Sequence, residues 1–470
     1  MLHRVTTLAV LAGTFLAGGL NARNVFVTPS DNVSSIVSVF TADPIGSAGS
    51  FSASPAAFLV LPNLDGSKFY VISRSGSDTL VVVDRNFGIL KRFNFNQNAT
   101  AGAITPDGRK LLVLAGTVHI IETSADLEVA NLNAGTNPID LAISTDGSRA
   151  LVLSAQSNSI TAIDLNSNTV TGTPVSISGN ATAIASAPNG MIYASAQNIV
   201  YEIDPATLQT RGTIPMNATP GRLVFTPDGT RAVAANRTPV TGSAALLFDL
   251  VNRSLASTIP NFAVTLDQMV AISNNRFIAC SGCGNPPDAP SGNGTLFEIS
   301  VNPFNISGVN LGGVSTFTNA RAIQTSSEVT PKFLYVAVPG TVYRFDLGSN
   351  LLSGQGALTV PAGPISYAGP AASGTPIDAQ IFNSNQTIAP GGTSLPIVVR
   401  ALDANANALY AVSVTFSTTA PGVTIQTANA TTNARGFAQT TVSVPSTTSA
   451  GTFNVTATIG SGGLTKTATF

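Results

Sequence analysis

A short corner returns along this chain at intervals of roughly 40 residues, and a period of that length marks a repeat architecture. Its copies are Asp65-Gly66, Pro106-Asp107-Gly108, Thr145-Asp146-Gly147, Pro188-Asn189-Gly190 and Pro227-Asp228-Gly229. Proline fixes φ, the Asp or Asn side chain bonds back to the backbone, and glycine supplies the positive φ that a tight reversal needs. Apolar runs flank each corner, so each is the bend of a β-hairpin. A third strand follows and often ends in an acid, as in Val81-Val82-Val83-Asp84, Thr161-Ala162-Ile163-Asp164, Tyr201-Glu202-Ile203-Asp204, Leu246-Leu247-Phe248-Asp249 and Tyr343-Arg344-Phe345-Asp346. Acids recurring at one place in successive units are expected to cap turns rather than bind metal. A more polar strand, such as residues 209–214, completes the unit. Four antiparallel strands per unit make a propeller blade, and the expected fold class is all-β.

Units start near Ala56, Ala101, Ile139, Ala181, Gly221, Asp267 and Asn319. Two pieces are left over: residues 24–27 and 35–40 read as later strands of a blade, and residues 363–367 as an isolated first strand. Joined, they form a blade shared by both ends of the repeat region, which closes the ring without a free edge. About eight blades follow, with seven plus an irregular N-terminal addition as the alternative. The strands Tyr70-Val71-Ile72-Ser73 and Tyr335-Val336-Ala337-Val338, with the corners and the Ile-Asp strand ends, make residues 24–374 resemble the YVTN-type β-propeller repeat family. That family includes surface-layer and other exported proteins and lactonase-like relatives, so the resemblance implies fold more firmly than activity.

The pattern changes after a Gly/Pro/Ala/Ser-rich passage at residues 361–376. Alternating strands then recur at sandwich spacing, among them Pro396-Ile397-Val398-Val399-Arg400 and Val412-Ser413-Val414-Thr415-Phe416, and an Ig-like β-sandwich is the expected fold. The stretch is similar to the bacterial Ig-like domain of group 1, the module of invasin and intimin stalks. Ala389-Pro390-Gly391-Gly392, Val398 to Asp403, Thr432-Asn433-Ala434-Arg435-Gly436-Phe437-Ala438 and Ala450 to Ala457 carry the resemblance. It implies a spacer, stalk or adhesion surface with no chemistry of its own. Ala406 departs from the pattern, standing where the turn after Asp403 normally has glycine. The expected division is residues 1–22 signal peptide, 23–375 propeller and 376–470 sandwich.

Residues 1–22 carry Arg4, an apolar run and small residues at Ala17, Gly19 and Ala22, the make-up of a secretory signal peptide. A secreted or cell-surface protein is expected, with no transmembrane segment in the mature chain. Only 10% of the 470 residues are charged and the formal net charge is −1. Such a chain has no field to attract nucleic acid.

Residues suited to catalysis are scarce. The two cysteines, Cys280 and Cys283, stand in an insertion running to Gly294; in an exported chain they read as a local disulfide. Beyond the signal peptide His119 is the one histidine, and its default role is structural. Nucleophile elbows, phosphate loops and EF-hand loops do not occur; no metal, cofactor or catalytic residue is expected. What remains is the funnel where first strands converge on the axis. Asp140, Arg222, Gln268 and Arg321 start or precede those strands, against Ala57, Ala101 and Ala183 in other units. They could orient an anionic or sugar-like ligand, or simply pair with one another. The expected function is a non-catalytic binding or adhesion protein for an extracellular protein or glycan, with the propeller as platform and the Ig-like module as spacer. The alternatives are a lactonase-type hydrolase of a sugar-derived ester, which would need convergent acids although the chain has five Glu, and a structural surface-layer component.

Overall fold

The computed structural model describes residues 23–31, 33–237, 244–259, 264–283, 294–312, 318–359 and 361–470. The expected signal peptide and residues 284–293 of the insertion after Cys283 lie outside them.

Second and third strands of the repeat are mostly apolar, and Phe69–Ile72 and Leu80–Val83 are buried throughout. Both faces of such strands must be covered, which a ring of sheets packed face to face provides. Fourth strands lie at the rim and alternate instead, as Leu127–Leu132 does. Eight four-stranded antiparallel sheets form the ring. Innermost strands of blades 2 to 8 are Ala57–Pro62, Ala101–Ile104, Pro138–Ile143, Ala181–Ser186, Val224–Phe225, Gln268–Ser273 and Ala322–Thr325.

Blade 1 is shared between the two ends of the repeat region, as expected. Its inner strand Ala362–Ala368 pairs with Asn24–Pro29, followed outward by Ile36–Ala42 and Ile45–Ser52. The outermost strand was not foreseen, because its Gly/Ser-rich sequence carries no apolar alternation. Arg344 of blade 8 fastens the closure. Its Nη1 donates to Ala42 O at 3.1 Å and to Asp43, and its Nη2 to Ser353 O at 3.2 Å. Tyr335 donates from its buried hydroxyl to the same Ala42 O at 2.9 Å.

The corners behave as their chemistry demands. At Gly108, φ is +71° and the amide donates to Thr105 O at 2.8 Å, while Thr105 Oγ1 donates to Asp107 Oδ1 at 2.5 Å. Strand-end acids cap turns: Asp164 Oδ1 accepts from the Asn166 and Ser167 amides, and Asp346 Oδ1 from the Ser349 amide at 2.7 Å. Those backbone bonds hold both carboxyls below the usual aspartate range.

A sandwich follows the propeller. Asp378–Phe382, Ile397–Leu402 and Phe437–Thr440 form one sheet, and Asn429–Thr431, Ser413–Thr418, Asn454–Ile459 and Leu464–Thr469 the other. Val399, Val414, Phe416 and Ile459 are among the residues filling the space between. Ala406 adopts φ +60°, the glycine-favouring conformation the turn requires. This domain is seated on the face of the propeller that carries the glycine corners. Ala434 N donates to Pro106 O at 2.7 Å, Asn433 Nδ2 to Thr145 O at 2.6 Å, and Asn383 Nδ2 to Asn189 O at 2.8 Å. Val329 N of blade 8 donates to Ala406 O at 3.0 Å, so contacts come from opposite sides of the ring.

Candidate functional site

An innermost strand has no neighbour on its axial side, so its backbone groups there need other partners. Side chains from the preceding blade supply several. Val60 N donates to Ser366 Oγ at 3.0 Å, Ile184 N to Asp140 Oδ2 at 2.9 Å, and Ile323 N to Gln268 Oε1 at 2.9 Å. Polar side chains on first strands therefore tie blade to blade. Asp140 also accepts from Arg222 Nη2 at 2.5 Å, and Arg222 Nη1 donates to Ile184 O at 3.0 Å. The structure thus brings two of the four axial candidates together, as one ion pair bridging blades 4 to 6. Gln268 serves blades 7 and 8 instead, and Arg321 bonds through its own amide to Ala337 O at 2.7 Å.

Three adjoining cavities surround the axis beneath the sandwich. One of about 460 Å³ lies between the sandwich and blades 1 to 3, with Arg23, Tyr367, Arg400 and Arg435 in its wall. A second, about 350 Å³, adjoins blades 5 to 8 and includes Glu328, Tyr367 and Arg400. The third, about 680 Å³, follows the inner strands of blades 2 to 6 and includes Asp140, Arg222, Arg237 and again Arg435. Arg400 and Arg435 each belong to two of them, so the two sandwich arginines stand where the cavities meet.

Among the described residues, five arginines line this chamber against two carboxylates. Asp140 pairs with Arg222, and Glu328 Oε1 lies 3.6 Å from Arg23 while its Oε2 is buried without a partner. Arg237, Arg400 and Arg435 have no acidic partner among the described residues. Arg400 is 7% exposed and lies 4.3 Å from the Phe437 ring centre and 5.3 Å from that of Phe382. Its Nη1 donates to Gln380 Oε1 at 3.1 Å, but its buried Nε has no partner. Burial pulls its pKa down to about 9, which leaves it cationic at neutral pH. Arg435 remains exposed to the cavity while protein surrounds it, and that desolvation also lowers its pKa.

These sandwich arginines were not legible as site residues. Arg435 sits in a hairpin corner and Arg400 in the strand Ile397–Leu402, both outside the repeat region, so no repeat signal places them on the axis; only docking brings them there.

Elsewhere, Cys280 and Cys283 are joined by a disulfide at the end of the strand Arg276–Ser281. His119 is buried and stacked on Phe95 at 3.8 Å, with Nδ1 2.7 Å from Glu128 Oε1. Among the described residues no group of three His, Cys, Asp or Glu is placed to hold a metal ion.

Residues 380–470 match the family model for the bacterial Ig-like domain of group 1, and residues 56–237 match a domain of unknown function, DUF5074. No curated protein matches the chain. Among solved structures, AztD from Citrobacter koseri superposes with a TM-score of 0.55 at 11% identity, covering 76% of this chain and 100% of that one. Apo AztD from the same organism gives 0.54 at 12% identity, covering 75% and 100%. Dihydro-heme d1 dehydrogenase NirN in complex with DHE gives 0.49 at 14%, covering 72% and 71%. At such identities the likeness concerns the propeller fold alone.

Proposed function

We propose that this chain is an exported, non-catalytic binding protein whose ligand enters the axial chamber of a YVTN-type propeller. One observation carries the reading: the Ig-like domain is seated over one mouth of the ring and turns two arginines without acidic partners toward the space inside. A module acting only as a spacer has no need of such a seat, so in this reading the domain is a cap. The amino-terminal residues, with their basic start and apolar run, support export. The described residues include no helix long and apolar enough to cross a membrane. An adhesive role for the outer surface of the cap fits the group 1 resemblance and is part of the same proposal.

The test is a screen of the mature chain against glycans, surface polymers and small metabolites, with each binder recovered and analysed chemically. Binding with recovery of unaltered ligand is expected. Hydrolysis of a lactone or ester at the axis, abolished by substitutions lining the chamber, would replace this reading with the lactonase one.

A further inference from the structure

A buried guanidinium without an acidic partner carries a large desolvation cost. This chain has 22 Lys and Arg in total, and three arginines lacking acidic partners face one chamber. At some inter-blade seams the cation has a carboxylate, as Lys68 has in Asp126 at 2.7 Å and Arg253 has in Glu202, while Lys110 meets Asn168 Oδ1 at 2.7 Å. Arg400 departs furthest from that practice, since it is buried with no carboxylate beside it among the described residues while two phenyl rings lie against its guanidinium. A planar fork held in place this way is prepared for an oxyanion, which it can bind through two parallel hydrogen bonds.

We infer that the chamber binds a small organic anion carrying two or more negative charges on phosphate or carboxylate groups, held by Arg435 at the junction of two cavities, with Arg400 beside it in one and Arg237 of blade 6 in the other. The inference rests on the binding reading above and gives its site a ligand class. Charge sets the class, because Asp140 and Glu328 already stand beside Arg222 and Arg23, which leaves buried Arg400 and exposed Arg435 and Arg237 without a carboxylate among the described residues. Size and lining fix the rest. Cavities of about 460 and 680 Å³ are in the range of small-molecule sites. Apolar walls that include Phe58, Leu141 and Phe225 suit an organic body better than a bare ion. In this arrangement the cap contributes ligand-binding groups that the ring alone lacks.

The experiment is isothermal titration calorimetry of the mature chain with pyrophosphate, citrate and, as a neutral control, glucose. Saturable binding of at least one anion is expected, with a Kd below about 1 mM, weakened by added salt, and no heat from glucose. Pyrophosphate alone would identify a phosphate ligand, and citrate alone a carboxylate. Arg435→Ala should weaken binding at least tenfold and Arg435→Lys less. Arg400→Met should also weaken it while raising Tm, the reverse of what a structural arginine would do. Failure of both anions to bind at about 10 mM, or unchanged affinity in Arg435→Ala with an unchanged Tm, would overturn the inference. A chain that binds a neutral glycan but neither anion would refute the anion site and leave the binding reading standing. A chain that binds the anions but converts another ligand at the axis would refute the binding reading instead.

Discussion

The seams between blades and the chamber on the axis treat positive charge in opposite ways. At the closing seam Arg344 is buried with hydrogen bonds to Ala42 and Ser353 and an ion pair to Asp43. At the axis Arg400 is equally buried, stacked on rings, and has an unbonded Nε. Both arginines lie over phenyl rings, Arg344 4.5 Å from the centre of Phe333. What separates them is satisfaction of the charge. The ring shows that this fold can neutralise a buried cation, so leaving one unpaired under the cap points to a partner from outside the chain.

The largest effect that could break this contrast belongs to the seam. Arg344→Ala should destabilise the propeller by about 2–3 kcal/mol, less than for a fully buried pair because Asp43 is 65% exposed and can return to water; urea unfolding would measure it, and a loss below half that range would mean the closure does not depend on this residue. Tyr335→Phe, which removes the second donor to Ala42 O, should cost about 1–2 kcal/mol in the same assay. The sign is expected to reverse at the axis, where Arg400→Met should stabilise the ligand-free protein by about 1 kcal/mol. Destabilisation there would make the two arginines alike. Arg435→Ala should change stability by no more than about 0.5 kcal/mol, because its side chain stands free in the cavity.

The smallest effect concerns acid. Asp164 and Asp346 have carboxyls held below the ordinary aspartate value of 3.8, so their contribution is in place above that pH and is lost as pH falls through the lower folded-state value. Replacing both by Asn should flatten the loss of unfolding midpoint on acidification below pH 3.8. An unchanged slope would show that the turn bonds leave no net linkage.

Much of the architecture could be read directly from residues. Repeated corners specified hairpins because only certain side chains tolerate those backbone angles, and predominantly apolar second and third strands required cover on both faces. Pairing of Asn24–Pro29 with Ala362–Ala368 was foreseen because both ends of the repeat were incomplete. Ile45–Ser52 escaped notice, since a rim strand of Gly and Ser satisfies backbone pairing without an apolar signature. On the axis, mutual pairing of Asp140 with the arginines was one of the two readings open from the sequence; the structure makes Arg222 the partner and keeps Arg321 apart.

The sequence by itself determined the units: hairpin, blade, shared closing blade and Ig-like module, each encoded by local turn chemistry and strand periodicity. Tertiary structure alone decided where the module sits, and with it the character of the chamber. Ala434 and Asn433 bind corners contributed by blades 3 and 4, more than 280 residues earlier. Contacts of that separation leave no periodic trace in the chain, because they depend on how two finished surfaces fit together.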